Sequence, residues 1–263
     1  MIAPQELRRS ARERRLALDL VEKDYVLGWI LCSVSSSSLS KHLAFKGGTA
    51  LSKVYFPGQW RLSEDLDFTL LEEADWQDIA KSLSEEIPTI MTRESGIPLT
   101  LTKIPFSSPN YLQGRLQYTG PVSKNTVKIE VSKERFVGDV LQKEVPQVFD
   151  CPKFKVEVYS VENILAEKTR TLLERVKVKD YCDVWRLLKT ESFDYDRVRK
   201  LFLQKCEAKE IDFSGVEQFF PADLVRTLEP YLKMGLARLS ADPLPPLETM
   251  IAELKSCLAE ILG

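Results

Sequence analysis

Two short stretches hold the residue types that group-transfer chemistry needs. They are Phe45-Lys46-Gly47-Gly48-Thr49-Ala50-Leu51 and, a little further on, Arg61-Leu62-Ser63-Glu64-Asp65-Leu66-Asp67-Phe68. The first reads as a strand end passing through two glycines into a helix. Adjacent glycines let the backbone turn sharply and approach a ligand. With Thr49 as its cap, the helix start presents unpaired N–H groups and a positive dipole end, which suit a phosphate. The second stretch reads as a strand, Asp65-Leu66-Asp67-Phe68-Thr69-Leu70. Alternation puts Asp65 and Asp67 on one face and Leu66 and Phe68 on the other. Paired carboxylates above a core form a platform for a hard cation such as Mg²⁺, which favours oxygen ligands shared with substrate phosphates. Taken singly, a Gly-Gly is usually a turn and an Asp-x-Asp a solvated strand edge; in this order they point to phosphoryl or nucleotidyl transfer.

Lys46-Gly47-Gly48-Thr49-Ala50-Leu51 followed by Arg61-x-Ser63-x-Asp65-x-Asp67-Phe68 resembles the AbiEii/AbiGii family of nucleotidyltransferase-like toxins. That family lies within the DNA polymerase β-like nucleotidyltransferase superfamily. The segment from Thr49 to Glu64 is longer than the superfamily's usual spacing. The resemblance implies the toxin half of a bacterial type IV toxin–antitoxin or phage-defence pair, with a cognate antitoxin as partner. It also implies a nucleoside triphosphate substrate and Mg²⁺, or Mn²⁺, as cofactor. Lys46, Gly47, Gly48 and Thr49 become the phosphate site, with Arg61 and Ser63 in support.

Polymerase β-like enzymes complete their metal cluster with a third carboxylate on a neighbouring strand. In Thr126-Val127-Lys128-Ile129-Glu130-Val131, Glu130 is the candidate, facing away from Ile129 and Val131 together with Lys128; the alternative is a solvent-facing strand glutamate. Further on, Ala166-Glu167-Lys168, Arg175 and Lys179-Asp180-Tyr181-Cys182-Asp183 resemble two more family motifs. Lys168 and Arg175 are seven apart, so on one continuous helix they share a face and reach the triphosphate together. Asp180 and Asp183, as i,i+3 neighbours, share another; one of them orients Lys168 or takes the proton of the attacking hydroxyl. An exposed charged face is the bland alternative.

These motifs need a scaffold, and the chain supplies one. Residues 4 to 18 are charged and helix-prone, with a thin apolar stripe of Leu7, Ala11 and Leu16. Leu18 to Val34 reads as a second helix containing Glu22-Lys23-Asp24-Tyr25, which is either a surface ion-pair site or a buttress of the active site. A helix follows at 74–93. Strand-like runs occur at His42–Phe45, Asp65–Leu70, Pro98–Ile104, Tyr111–Tyr118 and Thr126–Val131, with Lys153–Tyr159 as a possible edge strand. The expected fold is α+β, a mixed sheet of about five strands in a polymerase β-like nucleotidyltransferase core followed by a C-terminal helical region. The boundary falls near Ser160, giving a core of residues 1–159 with N-terminal helices and a helical domain of residues 160–263.

Composition narrows the partners. The chain has 263 residues, 44% hydrophobic and 29% charged, and a net charge of −2. No global positive field attracts nucleic acid, so any RNA is held by a local patch. The densest basic run outside the N-terminal helix is Lys168, Arg170, Arg175, Lys177 and Lys179; Arg8–Arg15 is the alternative. Five scattered cysteines indicate neither zinc nor a disulfide framework. With no signal peptide and no membrane span, a cytoplasmic protein is expected. The single histidine, His42, reads as structural.

The expected function is metal-dependent transfer of nucleotides from an NTP to an acceptor, with release of pyrophosphate. Asp65, Asp67 and Glu130 hold the metal, and Lys168 neutralises the leaving group. By resemblance the acceptor is RNA, such as the tRNA 3′ end. Rival readings are a protein nucleotidylyltransferase, a non-catalytic nucleotide-binding module of a phage-defence system, and a glycosyltransferase. The glycosyltransferase has no need of the upstream glycines.

Overall fold

The computed structural model describes every residue except Glu73, Glu134, Ala241 and Asp242, and the side chains of Pro105, Phe106 and Lys233. The chain forms two compact units. One comprises Met1–Phe136 and Val140–Tyr159, the other Val137–Asp139 and Ser160–Gly263.

The first unit opens with α1 (Pro4–Arg14) and α2 (Leu18–Ser35). Only Leu7 and Ala11 of α1 are buried, whereas α2 is buried around most of its circumference, as its near-continuous apolar sequence requires. Then follow β1 (Leu43–Lys46), α3 (Gly47–Ala50) widening into one further turn over Leu51–Tyr55, and β2 (Asp65–Leu70). The next helical stretch consists of α4 (Trp76–Lys81), a wide turn at Ser82–Glu86 and α5 (Ile87–Ser95), closed by Gly96 at φ 72°. Strands β3 (Leu99–Ser108), β4 (Tyr111–Thr119), β5 (Lys124–Ser132), β6 (Val140–Val145) and β7 (Phe154–Tyr159) complete it.

These strands make one mixed sheet in the order β3-β4-β5-β2-β1-β7-β6. Its central strands are β2 and its neighbours, with β2 antiparallel to β1 and parallel to β5. Among the described residues the sheet has seven strands, where the sequence led us to expect about five. Lys153–Tyr159, the possible edge strand, contains β7, which lies between β1 and β6. The edge on that side is β6, which the sequence reading missed. Its Leu141-Gln142-Lys143-Glu144 core is exposed residue after residue, so no apolar alternation marks it as a strand.

A carboxylate from α2 fixes the turn between β4 and β5. Glu22 is fully buried, and its Oε1 accepts the N–H groups of Val122 and Ser123 at 2.6 and 3.0 Å. The Ser123 hydroxyl donates to its other oxygen. Gly120 has to be glycine for this contact, because a Cβ there would stand 2.5 Å from Glu22 Oε1. Of the neighbours of Glu22, Lys23 reaches Glu64 (3.4 Å), the residue just before β2. Asp24 accepts from the buried Lys53 ammonium of the turn after α3 (2.7 Å). The surface ion-pair reading of Glu22-Lys23-Asp24-Tyr25 is therefore set aside: Glu22 braces the β4–β5 turn, and Lys23 and Asp24 brace segments that precede Asp65.

In the second unit, α6 (Val161–Glu174) packs on α7 (Val178–Thr190) and α8 (Tyr195–Ala208). After α9 (Leu224–Tyr231), α10 (Leu247–Leu262) closes over α7 and α8. Phe202, Phe213 and Phe219 form an aromatic cluster, with ring centroids 4.9–6.0 Å apart. Among the described residues, no helix is long and apolar enough to cross a membrane.

Replacing Glu22 by Ala strips the acceptor from two backbone donors and a hydroxyl. We expect a loss of about 2 kcal/mol, read as a lower urea midpoint with an unchanged slope. Glu22→Gln, which keeps one acceptor oxygen, should lose less.

Candidate active site

Strand register assembles the site. In the parallel pairing of β2 and β5, Asp65 stands opposite Lys128 and Asp67 opposite Glu130. On the other side of β2, Lys46 stands opposite Asp67; beyond β5, Gln113 stands opposite Glu130. One row across four strands thus reads Lys46, Asp67, Glu130, Gln113, with Asp65 and Lys128 in the row beside it. The reverse faces of β2 and β5 are core: Leu66, Phe68, Ile129 and Val131 are buried.

Glu130 is held firmly. Its Oε1 accepts from Gln113 Nε2 at 2.6 Å and from Lys128 Nζ at 2.9 Å. Burial raises its pKa, but hydrogen bonds from Tyr111, Lys128 and Gln113 outweigh this and bring it down to about 2. Asp67 moves the other way. Burial, then the charges of Glu130 and Asp65, push it up to about 7, with Lys46 opposing. The charged form is thus disfavoured at Asp67 and favoured at Glu130.

Gly47 makes the crowding possible. It sits at φ 76°, and a Cβ there would lie 2.5 Å from Asp67 Oδ2. The glycine turn therefore brings backbone directly against the carboxylate face. Thr49 is not the cap: Lys46 is the residue before the helix, and the Thr49 hydroxyl donates to the carbonyl of Asp65, tying α3 to β2.

The second unit carries its own charged cluster. Lys168 on α6 is buried, with Nζ 2.8 Å from Asp183 Oδ2 and 3.5 Å from Asp180 Oδ1. The i,i+3 pair on α7 thus meets a single ammonium. Arg175 Nε reaches Asp180 Oδ2 at 2.8 Å. The shared helix face of Lys168 and Arg175 does not exist, however. Helix α6 ends at Glu174, and Arg175 is extended at φ −156°. Asp180, not helical phase, connects the two.

The family model for the AbiEii nucleotidyl transferase toxin, type IV toxin–antitoxin system, matches residues 29–253. The chain belongs to the AbiEii family. It is accordingly a nucleotidyltransferase of the type IV toxin–antitoxin class, a membership that implies a nucleoside triphosphate substrate and an antitoxin partner. Among solved structures it is similar to MenT4, a nucleotidyltransferase toxin from Mycobacterium tuberculosis H37Rv. The TM-score is 0.78 at 18% identity, over 99% of this chain and 90% of that one. It is also similar to JHP933 from Helicobacter pylori, with a TM-score of 0.56 at 19% identity, over 94% and 93% of the two chains. These likenesses show a shared fold. A search of curated proteins returns no match.

Several AbiEii-like motif residues have local structural roles. Arg61 and Ser63 are buried in the loop before β2, where an Arg61 guanidinium N–H donates to Ser63 Oγ and to the Leu62 carbonyl. Because β2 begins at Asp65, Ser63 does not share its strand face. The basic run is thinner than its sequence implies. Lys168 and Arg170 are buried, and Arg170 pairs with Glu174 at 2.8 Å, while Arg175 and Lys177 are exposed. His42 lies in the turn before β1, 3.4 Å from Glu72. The reading of the sequence missed Tyr111 and Gln113. Alternation along β4 would have put them on one face, but only the register sets that face against Glu130.

Without a bound cation, folding favours the protonated form of Asp67. Its stability contribution is full below the ordinary value of 3.8 and is lost as pH rises toward about 7. Asp67→Asn should therefore stabilise the cation-free protein above pH 7, by about 1 kcal/mol after solvent screening. Melting curves in EDTA from pH 5 to 8 should be flatter for the variant than for the wild type.

Proposed function

We propose that the protein transfers nucleotides from an NTP to the 3′ end of an RNA such as tRNA, in a reaction that needs a divalent metal. The observation that carries the metal reading is the side-by-side pairing of Asp67 with Glu130, two residues from Asp65 on the same strand face. Hard carboxylate oxygens of this kind suit Mg²⁺ or Mn²⁺. Burial and, after it, the charges of Glu130 and Asp65 raise Asp67 to about 7, which marks a site short of positive charge. Among the described residues, no three acidic, histidine or cysteine side chains are already spaced to grip one ion; Lys128 stands between two of the carboxylates. The donor set fits the cation all the same.

Asp65, Asp67 and Glu130 would hold the ion, which when bound neutralises phosphate charge and orients the triphosphate. The backbone at Gly47 and Gly48 approaches phosphate oxygens without side-chain obstruction, and Lys46 adds a positive charge. The acceptor hydroxyl attacks the α-phosphorus and pyrophosphate leaves. Lys168 is the group we assign to the charge of the leaving pyrophosphate. Asp180 and Asp183 then act as its orienters, since both already contact its ammonium. Arg175, exposed and tied to Asp180, is secondary.

The test is incubation with each α-labelled NTP, Mg²⁺, total RNA and lysate protein. Label should enter RNA; label in protein alone would overturn the RNA acceptor, and label in neither would favour a non-catalytic module. Asp65→Ala and Asp67→Ala should abolish labelling in proteins that still fold, and wild-type turnover in either would remove the metal assignment. Lys168→Ala should slow transfer by about a hundredfold. Arg175→Ala should slow it less, and the reverse ranking would exchange their roles.

A further inference from the structure

Lys128 belongs to none of the roles assigned so far, yet its ammonium lies among the carboxylates. It projects from β5 opposite Asp65. Its Nζ lies 3.4 Å from Asp65 Oδ2 and 2.9 Å from Glu130 Oε1, so one ammonium bridges two of the three carboxylates expected to hold a divalent cation. The side chain is 30% exposed, so it can be reached from solution and can move.

We propose that Lys128 is an internal counter-cation. Its ammonium holds the place between Asp65 and Glu130 in the nucleotide-free protein and yields it when the triphosphate arrives with its metal. This rests on the reading of Asp65, Asp67 and Glu130 as the metal site. Mg²⁺ demands oxygen ligands at about 2.0–2.1 Å in near-octahedral geometry. An ammonium within hydrogen-bonding distance of two of those oxygens competes for the same lone pairs. A divalent ion entering beside it would also face a like charge in a partly desolvated site.

Triphosphate changes the balance. Its oxygens give the displaced ammonium a new partner and the metal further ligands. The pair Lys128 and metal, mutually repulsive over the carboxylates alone, then becomes compatible. Metal and triphosphate should therefore strengthen each other's binding, and by linkage the factor is the same in both directions. A metal that binds poorly without nucleotide would keep the resting enzyme from assembling its reactive site.

Mn²⁺ binding, followed by electron paramagnetic resonance without nucleotide, tests this directly. Lys128→Gln should bind Mn²⁺ at least about tenfold more tightly than the wild type, while Lys128→Arg, which keeps the charge, should stay close to the wild type. Inorganic triphosphate, with its own chelation of Mn²⁺ subtracted, should tighten Mn²⁺ binding to the wild type and do so much less for Lys128→Gln. Equal or weaker Mn²⁺ binding by Lys128→Gln, or equal enhancement by triphosphate in both proteins, overturns the proposal. Asp67→Asn separates this failure from that of the underlying reading. If Asp67→Asn loses Mn²⁺ while Lys128→Gln is unchanged, the metal site stands without a counter-cation. If Asp67→Asn binds Mn²⁺ as the wild type does, or if no form binds it, the metal site falls and the proposal with it. Circular dichroism of each variant confirms that altered binding is not lost folding.

Discussion

Three carboxylates on one face of two paired strands repel one another, and the first unit is built to tolerate that repulsion. Parallel pairing of β2 with β5 forces Asp67 beside Glu130, with Asp65 two residues away on the same face. Backbone hydrogen bonds and a buried reverse face hold this geometry, because a slip of one residue would turn Leu66, Phe68, Ile129 and Val131 out to solvent. The charge is offset locally. Lys128 bridges two of the carboxylates, Lys46 faces the third, and Gln113 and Tyr111 donate to Glu130. Burial and what remains of the repulsion together raise the pKa of Asp67. A site that spends folding energy on charge repulsion is poised for a cationic ligand, as strained polar clusters at functional sites commonly are.

The surroundings serve that arrangement. Gly47 allows the chain leaving β1 to pass within reach of Asp67 without a clash, and the Thr49 hydroxyl ties the new helix to the strand carrying both aspartates. From α2, three consecutive charged residues reach three separate anchors: the β4–β5 turn, the segment before β2 and the turn after α3. Since α2 is otherwise apolar and buried, each of these polar groups needs its partner, and satisfying them fixes the strands of the site. The second unit follows the same logic at smaller scale. A buried ammonium would be costly alone, and Asp180 and Asp183 compensate it.

Much of this was legible from residue types and spacing. Alternation along Asp65–Leu70 and around Glu130 reports a face and its core directly, because strand side chains point to opposite sides with period two. The i,i+3 spacing of Asp180 and Asp183 predicts a shared face for a comparable reason, and α7 bears it out. The motif order sufficed to place the chain in the AbiEii family and in the nucleotidyltransferase class. The adjacent glycines were legible as a sharp turn suited to close approach, but that Gly47 packs against Asp67 and leaves no room for a Cβ is a fact of the fold.

Tertiary structure alone decided which strands lie side by side. Pairing partners are far apart in the chain, so no local pattern shows that Glu130 neighbours Asp67 or that Gln113 neighbours Glu130. It also decided which charges are exposed. Lys168 and Glu22 read as surface charges by type, but partners distant in sequence accept them into the interior, while the buried Arg170 and Arg61 find theirs within four residues. Strand β6 went unseen because its exposed edge removes the selection for alternation on which strand reading depends. Helix α6 stops short of Arg175, so the expected two-turn spacing failed, and a salt bridge to Asp180 supplies the proximity that periodicity could not. Local geometry is written in neighbouring residues; charge balance at the site depends on contacts that only the folded chain creates.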